Sequence, residues 1–323
     1  MEYRSLGRSG LRVSTIGLGC NNFGRSKTRT ETQDGTTAVI DAAIEAGITF
    51  FDTADIYGAE RGLSESFMGE ALRGGKREKI VLATKFGMDM GGANGPDWEA
   101  RGSRRYIRLA VEASLRRLQT DWIDLYQLHR PDPLTPVEET IAALDELIAE
   151  GKVRYLGHSN LAGWQVVEAE YLAQLHGHTR FISAQSEYSL LERGVEAEVL
   201  PAVNAYELGF LPFFPLYNGL LTGKFTREGG PADSRIMTTR PHLAENAPWD
   251  AIERYAAFCA AHGVSMLTAT FTWLLAQPGL TSVIAGSTKP EQVAQNADAA
   301  GSWHASPAEI AEISAIFAVG DEP

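Results

Sequence analysis

Cysteine is scarce in this chain. Its 323 residues include only Cys20 and Cys259, too few for a disulfide framework or a thiolate metal cluster and in keeping with a reducing compartment. Basic charge is also short. There are 29 Lys and Arg against 41 Asp and Glu, a formal net charge of −12. A surface of that sign repels nucleic acid and anionic lipid at long range, so neither is an expected partner. Any anionic ligand needs a local basic pocket. No apolar run reaches the roughly 18–20 residues of a membrane helix. The opening MEYRSLGRSGLRVSTIGLG has no apolar core behind a basic segment, so no secretory signal is expected and cytoplasm is the expected location. No linker, low-complexity tract or repeat divides the chain, and a single domain over 1–323 is expected. With 44% hydrophobic and 22% charged residues, the composition excludes disordered, collagen-like and coiled-coil chains.

Short apolar runs alternate with amphipathic segments. Expected strands are Thr15–Cys20, Ile48–Thr53, Lys79–Lys85, Ile123–His129, Val153–Ser159, Phe181–Gln185, Phe210–Phe214 and Thr281–Ala285. Near-continuous apolar runs of this length fit parallel strands buried on both faces. The clearest helix is Pro136–Glu150. Thr135 is its expected cap, Pro136 suits the first turn, Glu138 completes a capping box, and Gly151 stops it. Val137, Ile141, Leu144 and Ile148 share one face. The expected fold class is α/β, a closed (β/α)8 barrel, with an open doubly wound sheet as the rival that periodicity does not separate. Tyr3–Leu6 and Leu11–Val13 flank Gly7-Arg8-Ser9-Gly10 and read as a β-hairpin able to plug one end. Two long loops, 86–102 and 222–248, are either lids at the mouth or surface insertions.

Barrel chemistry gathers at the C-terminal ends of the strands. There the second expected strand ends in Asp52, the third in Lys85 and the fourth in His129, with Tyr57 just beyond Asp52. Burying such groups is costly unless they pair. Taken singly, Asp52 reads as a helix cap, Lys85 as a solvated end, His129 as a wall residue and Tyr57 as packing. Taken together they form an acid–base device. An ammonium beside a phenol stabilises the phenolate and lowers its pKa, a carboxylate holds the ammonium charged, and an imidazole orients a carbonyl oxygen. The carbon is then left to accept a hydride, which no side chain supplies.

The stretches Phe51-Asp52-Thr53-Ala54-Asp55-Ile56-Tyr57-Gly58 and Leu125-Tyr126-Gln127-Leu128-His129-Arg130-Pro131-Asp132 resemble the signatures of the aldo-keto reductase family. The likeness runs from the N-terminal hairpin to Gln292–Asn296. It implies a TIM barrel with long loops at its mouth, and a catalytic tetrad of Asp52, Tyr57, Lys85 and His129. It also implies NADPH as cofactor and an aldehyde or ketone as the small-molecule substrate. A non-catalytic cofactor-binding regulator, like the potassium-channel β subunits that share this fold, is the alternative. The intact tetrad argues against it.

A Rossmann fingerprint is missing. Gly17-Leu18-Gly19-Cys20-Asn21-Asn22 lacks the third glycine and does not open a helix. The resemblance instead places the dinucleotide along the barrel mouth. Ser159, Asn160 and Gln185 stand where the family clamps the carboxamide, and Asp52 is also expected to touch the cofactor. Phe213 stands where an aromatic stacks on the nicotinamide. The segment Phe214-Pro215-Leu216-Tyr217-Asn218, with Gly223 and Lys224, matches the loop around the pyrophosphate, although Phe214 replaces the usual Ser. Arg235 lies near a position where some members place an Arg on the cofactor. Gly286, Ser287, Thr288, Lys289, Gln292, Gln295 and Asn296 match the adenosine and 2′-phosphate site, and Lys289 favours NADPH over NADH. Cys20 and Asn21 fall under the nicotinamide, where the family has Thr-Trp. The substrate pocket is expected to draw on Asn22, Phe23, Tyr57, Phe86, Met88, Trp98 and His129. No metal ligands are expected, and the oligomeric state is not readable.

Overall fold

A computed structural model of the chain describes residues 1–232 and 234–318, so Asp233 and the last five positions of the expected 1–323 domain lie outside the described residues. Two strands, β1 (Tyr3–Ser5) and β2 (Arg12–Ser14), pair antiparallel as the expected hairpin. Eight more form one parallel sheet: β3 (Ile16–Gly19), β4 (Phe50–Asp52), β5 (Val81–Phe86), β6 (Ile123–Leu128), β7 (Val153–Ser159), β8 (Phe181–Glu187), β9 (Gly209–Phe213) and β10 (Val283–Gly286). Their order is β10-β3-β4-β5-β6-β7-β8-β9. The two edges meet. The Phe210 amide donates to the Gly279 carbonyl at 2.8 Å, and the Thr281 amide donates to the Phe210 carbonyl at 2.9 Å. An open doubly wound sheet keeps its edge strands apart, so this closure decides for the (β/α)8 barrel.

At least one helix lies between each pair of successive barrel strands, and Pro290–Ala299 follows β10. The helix after β6 spans Val137–Ala149, and its start corrects the expected cap. Pro136 is the N-cap and has no N–H for a Glu138 carboxylate to accept from, so no capping box forms. The Thr135 hydroxyl instead donates to Asp132 at 2.7 Å. Gly151, at φ 75°, ends the helix as expected.

Period-2 alternation decides what faces the barrel axis. Phe50, Ala83, Leu125, Leu211 and Ile284 form an apolar floor, joined by Leu6 and Val13 of the hairpin. The hairpin therefore plugs the N-terminal end. Gly7 takes φ 56° there, and a Cβ on it would come within 2.4 Å of the Ile182 carbonyl. The residues of opposite parity, among them Phe51, Leu82, Tyr126 and Leu156, enter the larger core between sheet and helices. The loop 222–248 packs through Phe225 and Ile236 onto Leu220, forming a small core.

Candidate active site

Two residues beyond the apolar floor, the same alternation brings polar groups inward. Phe50 leads to Asp52, Ala83 to Lys85, Leu125 to Gln127 and Ser183 to Gln185. The Lys85 ammonium donates to Asp52 Oδ2 at 2.6 Å and to the Thr53 carbonyl at 3.0 Å, fully buried. Asp52 Oδ1 accepts from Gln127 at 3.1 Å and from Gln185 at 3.0 Å. All of the polar atoms of this buried pair thus find partners, which offsets the cost of burying it inside the barrel.

Tyr57 reaches the same point from the loop after β4. Its amide donates to the Ala54 carbonyl at 3.1 Å, and its carbonyl accepts from Ser64 at 3.1 Å. Gly58 then turns the chain at φ 119°, where a Cβ would lie 2.7 Å from the Leu63 Cβ. The Lys85 ammonium lies 5.4 Å from the Tyr57 ring centre, and the Tyr57 and His129 rings meet edge-on at 5.9 Å. The four expected tetrad residues are therefore gathered at the C-terminal mouth.

The electrostatics correct one expectation. Tyr57 was expected below its ordinary pKa. Burial instead pushes it above 10.0, outweighing the downward pull of the Lys85 charge and its hydrogen bond. The hydroxyl therefore holds its proton. Burial works against the Lys85 ammonium, yet Asp52 and Tyr57 together keep it above 10.5. Burial, then the charges of Lys85 and Arg130, holds His129 well below 6.5, so its imidazole is neutral. Its Nδ1 is buried with no described partner.

The other expected residues divide. Ser159 and Asn160 end β7 side by side, and Asn160 takes φ 60° and donates to the His129 carbonyl at 3.0 Å. Gln185 lies next to them, but its amide is committed to Asp52 and Gln127. Phe213 and Phe214 meet edge-on at 5.2 Å. Phe214, Tyr217 and Asn218 all take positive φ, as do Gly219 and Gly223, so this loop turns repeatedly through left-handed backbone. Asn218 Oδ1 is buried with no described partner. Pro215 is buried, Leu216 half-buried, and Gly223 and Lys224 exposed. Asn21 and Asn22 lie beside Gly286, at the ends of the paired strands β3 and β10.

At the start of Pro290–Ala299, Lys289 is the N-cap. Thr288 is not a cap, and its amide and hydroxyl both point at Gln292 Oε1, at 2.8 and 3.2 Å. Ser287 is buried and accepts from Asn296 at 3.2 Å, whereas Gln295 is exposed.

Three expected contact residues are buried, and a fourth stands on the surface. Cys20 and Phe23 are fully buried in the core, and the Cys20 amide and carbonyl already bond to Asp52 and Ser64. Phe86 has the opposite parity to Lys85, faces the helices and stacks on Tyr126 at 4.7 Å. Trp98 stands on the surface, 71% exposed under the Arg105 guanidinium. Met88 remains half-buried. The loop 86–102 is not free to act as a simple lid at its middle, because buried Asn94 donates to Asp55 at 2.8 Å and accepts from Arg117 at 2.9 Å. Arg117 in turn pairs with buried Glu65 at 2.7 Å, which takes the Thr84 hydroxyl at 2.6 Å. Sequence reasoning missed Gln127 and this network. Gln127 was legible from parity, since it sits two residues after Leu125. No local signal joined Asn94 to Asp55.

No group of acidic, His or Cys side chains among the described residues could hold a metal ion. No single described helix is long and apolar enough to cross a membrane.

A closed barrel with an ion pair, a phenol and a neutral imidazole at its mouth defines an oxidoreductase-type acid–base site. The model of the aldo/keto reductase family matches residues 15–318, and the chain belongs to that family. Members are oxidoreductases that work with NAD(P)H on small-molecule carbonyl compounds. An oxidoreductase of Bacillus subtilis (strain 168), YrpG, is 40% identical over 301 residues, covering 91% of this chain and 89% of that protein. A probable voltage-gated potassium channel subunit beta of Oryza sativa subsp. japonica is 36% identical over 305 residues, covering 92% and 90%. A probable aldo-keto reductase 1 of Glycine max is 36% identical over 294 residues, covering 90% and 82%.

Proposed function

We propose that the protein reduces an aldehyde or ketone to an alcohol with NADPH, and that Tyr57 donates the proton. The observation that carries this reading is the run of contacts from Asp52 through Lys85 and Tyr57 to His129, at 2.6, 5.4 and 5.9 Å. Asp52 keeps Lys85 charged and in place. Lys85 stabilises the phenolate that Tyr57 becomes as its proton moves to the carbonyl oxygen. Neutral His129 orients that oxygen by hydrogen bonding, without adding a second positive charge beside Lys85.

The residues at the mouth fit a dinucleotide. Asn218 Oδ1 lacks a described partner, the 214–223 loop turns its backbone through left-handed conformations, and half-buried Arg235 supplies a cation in an acidic protein. Asn21, Ser159, Asn160 and Phe213 would hold the nicotinamide end. The segment Phe214–Asn218, with Gly223, Lys224 and Arg235, would hold the pyrophosphate. Gly286 to Lys289, with Gln292, Gln295 and Asn296, would hold the adenosine end. When bound, NADPH supplies the hydride that no side chain can.

A cytoplasmic location accords with the two unpaired cysteines. The rice relative keeps a channel-regulator reading in view, and turnover separates the two. The test is a panel of aldehydes and ketones followed by loss of NADPH absorbance. Turnover supports the reductase, with NADPH outperforming NADH. Cofactor binding without turnover of any carbonyl favours the regulator. Equal use of the two cofactors removes Lys289 from the phosphate role.

A further inference from the structure

Three arginines meet at the mouth of a protein whose net charge is −12. Arg235 and Arg240 bring their guanidinium carbons to 5.3 and 5.5 Å from the centre of the same Phe214 ring. Arg25 comes from the loop after β3 and donates to Asn22 Oδ1 at 2.8 Å. All three are half-buried, and none forms an ion pair with a described carboxylate. They feel one another. Burial, then Arg25 and Arg240, brings Arg235 down to about 10, and burial, then Arg240, lowers Arg25. Arg25 also senses the Tyr57 hydroxyl, which places its charge near the proton donor. The acid that senses Arg240 is Glu187, itself pushed up by burial and by Glu192.

Gathering like charges in a half-buried place is unfavourable unless an anion joins them. Arg235 belongs with the loop assigned above to the dinucleotide. Arg25 and Arg240 are left over: Arg25 donates to Asn22, which is among the expected substrate contacts, and Arg240 lies over Phe214, whose ring meets that of Phe213 edge-on at 5.2 Å. From this we infer that Arg25 and Arg240 form an anion subsite for the substrate, so that the preferred carbonyl compounds are acidic, carrying a carboxylate remote from the reacting carbon. A carboxylate between two guanidinium groups gains charge-assisted, bidentate hydrogen bonds. The inference rests on the reductase reading for its carbonyl, but the anion subsite has a test of its own.

The experiment is titration calorimetry on the full chain saturated with NADP⁺, which cannot reduce an aldehyde. The probes are 4-carboxybenzaldehyde and 4-oxobutanoate, each against its methyl ester. The expected result is that each acid binds at least about tenfold tighter than its ester. That ratio falls toward one in Arg25→Met and Arg240→Met and stays in Arg8→Met, at the hairpin end of the barrel. Equal binding of both acids and their esters overturns the inference. So does weaker NADP⁺ binding in Arg25→Met and Arg240→Met with the acid preference intact, which would give these arginines to the cofactor phosphates. Turnover is read separately with NADPH. If the acid preference holds but no aldehyde is reduced, the reductase reading fails and the anion subsite stands.

Discussion

The two ends of the barrel are built from the same strands and differ by a step of two residues. Phe50, Ala83 and Leu125 close the N-terminal end, while Asp52, Lys85 and Gln127 occupy the next inward positions. The floor is held by apolar burial and by a hairpin that fits it. The layer above is held by hydrogen bonds that leave no polar atom of the Asp52–Lys85 pair alone. Because each strand turns the same face inward at both levels, fold and chemistry share a single register. A slip of one residue would put Phe51 and Thr84 inside and send Asp52 and Lys85 among the helices.

This contrast predicts which changes affect activity and which affect stability. Lys85→Met should have the largest effect. Reduction should fall by roughly 10²–10⁴-fold, and unfolding in denaturant should show a loss of about 3–5 kcal/mol, because Asp52 stays buried without its cation. Phe50→Ala, on the floor, should cost about 3–5 kcal/mol while the folded fraction keeps its turnover. A comparable loss of turnover per folded molecule would break the division between the two ends.

His158 tests the outer face of β7. Both of its ring nitrogens are buried with no described partner, and burial holds its pKa at about 3 instead of 6.5. Below 6.5 the unfolded chain takes a proton that the native site refuses, so stability falls as pH drops toward 3. His158→Leu should remove about 1.4 kcal/mol per pH unit from that slope, read by denaturant titrations at several pH values. Gln127→Leu is the smallest expected change. It removes one of two amides on Asp52 Oδ1, costing about 1 kcal/mol, with a modest drop in kcat. No change in either would make Gln185 the sufficient partner.

Much of this was legible in the sequence for a definite reason. Strands buried on both faces read as continuous apolar runs, and all eight stand where those runs lie. The tetrad was legible because Asp52, Lys85 and His129 each end such a run. Chain closure was not legible, since Phe210 meets Gly279 across a long sequence separation. Nor was the sense of the Tyr57 shift, because the sequence names its charged neighbours but not how deeply they are buried. The direction of Phe86 is a related case: an aromatic at a strand end says nothing of which way it faces unless parity is applied, and parity turns it toward the helices. Arg25 and Arg240 come from distant loops, and only the folded chain puts them together.

The most direct measurement is a single-turnover comparison of wild-type and Tyr57→Phe protein, each loaded with NADPH and mixed with an aldehyde that the wild type reduces. The account predicts that NADPH still quenches tryptophan fluorescence in the variant while the reduction step slows by roughly 10²–10⁴-fold. An undiminished reduction rate in Tyr57→Phe would contradict it.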